Sequence, residues 1–234
     1  MFALAIVLLL VCTSVFVNGW TDAPNAIATV VSTRVLSPKA AVILAAIFNL
    51  AGVFLSGTAV ANTTANIIEI GTGQDALVTL AAAQLSIVIW AVSAWRYGIP
   101  TSESHALIAG LMGAGISFKG IEAFNWNEFK KVLIGLVVST VLGFIAGYAV
   151  TKLVVFTFRG VNRHKANTFF SWGQVFSAAM MAYSHGAQDG QKFMGIFALA
   201  LVVGGVYPKS DQIYVPIWIM FLIAVIITIG TSVG

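Results

Sequence analysis

The chain has 234 residues, of which 59% are hydrophobic and 9% charged, with a mean hydropathy of +0.96. A water-soluble domain carries roughly 25% charged residues, so a water-facing surface is excluded and the fold class is an all-α polytopic membrane protein. The net charge of +4 does not imply nucleic acid, because the basic residues fall mostly in short loops where positive-inside topology accounts for them.

Residues 2–17 are apolar and helical in character. No Lys or Arg precedes them and no small-x-small cleavage site follows, so they read as a retained membrane segment rather than a signal peptide. Cys12 within them is the only cysteine, which excludes an intrachain disulfide and argues against thiol chemistry. Residues 18–25 (Asn-Gly-Trp-Thr-Asp-Ala-Pro-Asn) then interrupt the apolar run, which resumes over residues 26–36. Polar residues at that depth are functional candidates, and the stretch reads as a break in the helix, with Pro24 in the first turn of the half-helix that follows.

Ser37-Pro38-Lys39 turns the chain, and residues 40–60 form the next span, with Asn49 at its middle and Gly52, Ser56 and Gly57 suited to close packing. Asn49 reads equally well as a site residue or as interhelical glue. Residues 62–73 make a polar connection, in which Glu69, like Asp75 after it, reads as a solvated loop residue. A further span ends at Trp95 and Arg96. Residues 100–105 (Pro-Thr-Ser-Glu-Ser-His) precede an apolar run of only thirteen residues, 106–118. A spanning helix needs about 20 residues, so this piece is expected to be re-entrant or half of a broken helix.

Residues 119–131 read as an amphipathic interfacial loop anchored by Trp126, and residues 132–158 span again. Residues 159–165 hold the densest basic cluster and are assigned to the cytoplasmic side. Residues 169–183 lead to a second polar stretch, 185–192 (His-Gly-Ala-Gln-Asp-Gly-Gln-Lys), also read as a break. The apolar sequence continues over 193–206, a loop follows at 207–211, and residues 213–233 form the last span.

The two polar stretches look like one site made twice. Aligned on glycine, Gly19 matches Gly186 and Asp22 matches Asp189, 167 positions apart. Internal repeats with broken segments at matching positions mark secondary transporters, so an internal two-fold repeat of inverted sense is expected. Residues 1–158 form its first part, 159–167 a basic cytoplasmic loop, and 168–234 the start of the second part. The copy of the 100–105 motif would lie beyond Gly234, so the chain reads as C-terminally incomplete.

Each motif has its chemistry and an ordinary alternative. Asp22 with Thr21 and Asn25 offers oxygen ligands suited to a hard cation such as Na⁺; the alternative is a helix kink whose polar groups satisfy one another. In the second stretch, Lys192 could face an anion or simply pair with Asp189. Thr101, Ser102 and Ser104 with the backbone N–H groups of a helix start form a donor-rich anion site, to which His105 could add a proton; the alternative is ordinary capping, with Glu103 favouring the helix dipole.

Together these motifs resemble the inorganic phosphate transporter (PiT) family, in a bacterial form. Residues 19–25 resemble its glycine-anchored Asn-Asp-x-x-Asn signature, residues 185–192 the bacterial second-half form His-Gly-Ala-Asn-Asp-Ala-Gln-Lys, and residues 100–105 its Pro-x-Ser-x-x-His motif. The chain departs from the signature at Thr21 and Gln188, which stand where the family has Asn, and at Asn49, where some members carry an acid. The second Pro-x-Ser-x-x-His motif does not occur in these residues.

The resemblance implies a transporter and no enzyme: a symporter of inorganic phosphate coupled to Na⁺ or H⁺, working by alternating access in the plasma membrane, here a bacterial inner membrane. Phosphate would be bound by Thr101, Ser102, Ser104, His105, Gln188, Gln191 and Lys192. Cations would be bound by Asp22, Asn25, Thr21 and Asp189, with Asp22, Asn25 and Asp189 as Na⁺ ligands if sodium is the coupling ion. No cofactor is expected beyond that ion. The partners are phosphate, the cation and the lipid bilayer, and the small-residue helix faces are compatible with a homodimer. Sulfate is the alternative substrate. A passive channel and an intramembrane hydrolase using His105, His185 and Asp189 stand further off, the latter for want of a paired-His spacing.

Overall fold

A computed structural model describes the backbone of every residue except 209, 211 and 212, and also leaves aside the side chains of 23, 163 and 165. Part of the loop read at 207–211, and two side chains of the basic cluster, therefore lie outside the described residues. The described chain forms α1 (Phe2–Ser32), α2 (Pro38–Leu55), α3 (Ala59–Ala65), α4 (Gln74–Tyr97), α5 (Glu103–Lys119), α6 (Trp126–Phe158), α7 (Arg163–Val203) and α8 (Ile217–Val233). By length and composition α1, α2, α4 and α6 can each cross a bilayer, and α8 is a shorter apolar helix.

Local chemistry sets the ends. Ser37 accepts a hydrogen bond from the Ala40 N–H with Pro38 at the first helical position, Asn125 and Asn162 cap α6 and α7 in the same way, and Gly98 closes α4 in the left-handed conformation. Helix α7 begins at Arg163, inside the segment read as a loop.

The largest difference from the sequence reading concerns the breaks. Helix α1 runs unbroken through Asn18 and Pro24, and α7 unbroken through residues 185–192. The reason lies in spacing. Residues three and four apart share a helix face, and Asn18, Asp22 and Asn25 hydrogen-bond one another along α1, with Asn18 Nδ2 donating to Asp22 at 3.3 Å and Asn25 Nδ2 at 3.1 Å. Thr21 returns its hydroxyl proton to the Val17 carbonyl. Pro24 lies inside the helix and removes one donor without stopping it.

The glycines of both motifs are explained by close crossings rather than by turns. A Cβ at Gly19 would overlap the Ile227 carbonyl of α8, and one at Gly186 would overlap the Asn49 carbonyl of α2. The break falls instead at Ser56–Thr58, inside the expected span 40–60, where Gly57 has φ +77°. Gln191 of α7 repairs it. Its Oε1 accepts from the Val60 N–H and its Nε2 donates to the Ser56 carbonyl, both at 3.0 Å. That is how irregular backbone survives in a membrane interior.

Helix α1 packs against α4, α7 and α8, α2 lies along α7, and α4 and α5 form a hairpin. The main core gathers Val7, Val11, Val15, Leu80, Ile87, Phe193, Ile219 and Ile223. Helix α5 has 17 residues, short of the ~20 a full span needs, and it starts in the interior beside Thr21. Helix α6 stands apart with no buried residue, its last residue Phe158 stacked on Phe169 of α7.

Candidate functional site

The three motifs meet where α1, α5 and α7 come together. Asn18 is wholly buried, and its Nδ2 donates both to Asp22 Oδ2 at 3.3 Å and to Asp189 Oδ2 at 3.2 Å. One amide therefore bridges the equivalent acids of the two motifs. Two carboxylates this close repel, and part of the compensation comes from Lys192, whose Nζ lies 2.6 Å from Asp189 Oδ1. The same ammonium donates to Ser104 Oγ in the first turn of α5. His185 adds its Nε2, 3.4 Å from Asp189 and 4.0 Å from Asp22.

Thr21 brings α1 to α5, its Oγ1 lying 3.3 Å from Glu103 Oε1. Glu103 is 3% exposed, and its second oxygen has no protein partner; Asn18 Oδ1 and His185 Nε2 are likewise buried without one. Buried polar atoms are nearly always paired, so three orphans around two acids indicate a place for something else. One oxygen or nitrogen each from Asp22, His185 and Asp189 lie within 4.8 Å of one another, close enough to hold a metal ion. The donor set fits a cation.

The remaining residues sort by position. A cavity of about 300 Å³ is lined by Thr21, Asp22, Asn25, Pro100 and Thr101, so the first motif and the start of the 100–105 motif face the same space. Ser102 caps α5 through its hydroxyl, accepting from the His105 N–H. His105 is exposed and lines a second cavity with Thr101 and Ser102, on the Trp90 side. Gln188 is exposed and makes no hydrogen bond to the cluster among the described residues. Gln191, expected among the anion donors, has its amide engaged by backbone at the α2–α3 break.

Three members of the cluster lie outside the ligands that the sequence motifs suggest. Glu103 looked like a dipole-favouring residue at a helix start, and only its burial against Thr21 distinguishes it. Asn18 and His185 lie four residues before Asp22 and Asp189, a helical spacing that pointed to them once the motifs are read as continuous helix. Asn49 proves to be interhelical: it joins His185 of α7 to Thr231 of α8.

Comparison with known proteins agrees with this arrangement. The sequence pattern of the phosphate transporter family matches residues 18–234. A Bacillus subtilis protein described as a probable low-affinity inorganic phosphate transporter is 37% identical over 231 residues, covering 97% of this chain and 68% of the relative. A Mycobacterium tuberculosis protein with the same description is 37% identical over 238 residues, covering 100% of this chain and 56% of the relative. The chain thus spans between about half and two thirds of such relatives. A solved structure described as the sodium-dependent phosphate transporter superposes with a TM-score of 0.82 at 22% identity, covering 98% of this chain and 75% of that one; at this identity the likeness is one of fold.

Proposed function

The chain belongs to the phosphate transporter family, and from that premise we propose that it carries most of the binding site of a cation-coupled symporter of inorganic phosphate. It is a multi-pass membrane protein, and its place in this reading is the bacterial plasma membrane. The observation that carries the reading is the meeting of all three motifs at Lys192, which touches Ser104 and Asp189 while Asn18 ties Asp189 to Asp22.

Asp22, Asp189 and Asn25 serve the cation, with Thr21 as a further oxygen donor. Phosphate binds on the α5 side, where Thr101, Ser102, Ser104 and the first N–H groups of α5 present donors at a helix N-terminus, with Lys192 adding positive charge. His105 lines a cavity with Thr101 and Ser102 without joining the acidic cluster, and Gln188 is exposed on α7. Gln191 acts one step removed, by holding the α2–α3 break in place. An anion beside two carboxylates is opposed by their charge; a bound cation cancels part of it, and this gives the physical reason for coupling. No cofactor takes part beyond the transported cation.

The test is uptake of labelled phosphate by liposomes holding the full-length protein, under separately imposed Na⁺ and pH gradients. Saturable uptake driven by one of them is expected, and uptake indifferent to both would refute the symporter. Sulfate in excess serves as competitor, and competition as effective as by phosphate itself would reassign the substrate.

A further inference from the structure

The turn from α6 into α7 carries positive charge with no acid near it in the sequence. Arg159, Arg163, His164 and Lys165 fall within seven residues, and no Asp or Glu occurs anywhere from 129 to 188. The preceding acid, Glu128, lies in the first turn of α6, while Arg159 comes just past its last, the length of a 33-residue helix away. Arg159 is exposed, and no ion pair involves it among the described residues.

Beside this charge lies a groove. A cavity of about 700 Å³ is lined by His164, Thr168, Phe169, Trp172, Gly173 and Phe176, which recur on α7 at the three- and four-residue spacing of one helix face. The groove opens away from the bundle: Trp172 is 73% exposed, whereas Gln174, on another face, meets the end of α1 with its Oε1 2.7 Å from Thr33 Oγ1. Gly173 has open space where a Cβ would stand, which leaves a notch between Phe169 and Phe176. Phe158, the last residue of α6, stacks on Phe169 with ring centroids 5.4 Å apart, and so sets Arg159, the next residue, beside the groove.

A tryptophan beside a basic cluster marks the level of the membrane–water interface. Basic segments at that level attract anionic lipids, and a guanidinium matches phosphate oxygens in charge and shape. An inorganic anion would make no use of three aromatic rings, and a zwitterionic lipid has no net charge for the cluster to attract. We propose that the α6–α7 turn and the first turns of α7 bind an anionic phospholipid of the cytoplasmic leaflet, with its headgroup phosphate at Arg159 and His164 and an acyl chain in the notch at Gly173 between Phe169, Trp172 and Phe176. The notch lies about 24 Å along α7 from Asp189, sixteen residues at the helical rise, so this site is separate from the transport site and does not rest on the transport reading.

The test uses the full-length protein in phosphatidylcholine nanodiscs that contain a minor fraction of lipid with brominated acyl chains, which quench nearby tryptophan. Trp172→Phe isolates the Trp172 emission by difference. Brominated phosphatidylglycerol is expected to quench Trp172 more than brominated phosphatidylcholine does at the same mole fraction. Arg159→Gln should weaken that preference about five-fold, the factor that corresponds to one basic residue at an anionic surface, and Gly173→Leu, which fills the notch, should remove it. Excess inorganic phosphate should leave the quenching unchanged. Equal quenching by the two lipids would mean unselective contact with bulk lipid, no quenching by either would mean that another part of the protein covers the groove, and relief of quenching by phosphate would assign the site to a free anion. Each of these would overturn the proposal, and the wild-type comparison decides it even where a variant fails to fold. Phosphate uptake plays no part in the readout, so its failure would strike the transport reading alone.

Discussion

Replacing Lys192 with Met tests the electrostatics of the cluster most directly. Met keeps most of the apolar stem and removes the charge that lies 2.6 Å from Asp189, in a pair whose side chains are 18% and 12% exposed. Unit charges 4 Å apart interact by roughly 4 kcal/mol at an effective dielectric constant of about 20. Breaking a buried pair by removing one partner costs about 3–5 kcal/mol. Lys192→Met should therefore lose about 3–5 kcal/mol of stability in a medium without binding cations, since Asp22 and Asp189 then share Asn18 with no fixed counter-charge. The deficit should shrink as Na⁺ is added. A ligand bound only by the folded state contributes about 2.7 kcal/mol at a hundred times its dissociation constant, and the variant site is one unit more negative than the wild type. The assay is thermal unfolding in detergent, followed by tryptophan fluorescence, in choline chloride and sodium chloride at equal ionic strength. Equal melting temperatures in choline, or parallel Na⁺ dependences in the two proteins, would refute the reasoning.

Asp22→Asn and Asp189→Asn are each expected to abolish coupled uptake in proteoliposomes with membrane insertion intact, and wild-type uptake by either would remove that residue from the cation site. Ser104→Ala should raise the phosphate KM more than the half-saturating cation concentration; the opposite split would move Ser104 to the cation side. Gln191→Ala leaves the half-buried Val60 N–H and Ser56 carbonyl without their side-chain partner, at up to about 1–3 kcal/mol for each group, and an unchanged melting temperature would show that the break is satisfied in another way. Gly186→Ala drives a methyl into the Asn49 carbonyl, an overpacking of about 1–3 kcal/mol or more, while Gly173→Ala, with open space around it, should be close to neutral and serves as its control.

Much of the membrane architecture is legible in the sequence because lipid imposes a simple rule on it: long apolar runs become helices. The spans ending near Arg96 and Phe158 fall where composition puts them, and Asp22, Asp189 and Lys192 were recognisable as polar groups too costly to bury idly. The polar stretches 18–25 and 185–192 misled because a polar interruption and a polar helix face contain the same residues; only their pairing at three and four positions tells the two apart. The break after Leu55 was hidden for the opposite reason. Its flanks are apolar or small, and the group that satisfies it, Gln191, is remote in sequence. Glu103 and Asn49 depend likewise on partners more than 80 positions away, which no local pattern reports.

The continuity of α7 has a consequence for how the site can respond. His185, Asp189, Gln191 and Lys192 ride on one helix and have no independent degrees of freedom along it. Through them α7 is latched at once to Asn49 on α2, to the α2–α3 break, to Asn18 on α1 and to Ser104 on α5. A rotation of α7 that releases one latch strains the others. The helix is therefore ganged: a movement of α7 as a whole acts on all of these contacts at once, and none of them can be reset by it alone.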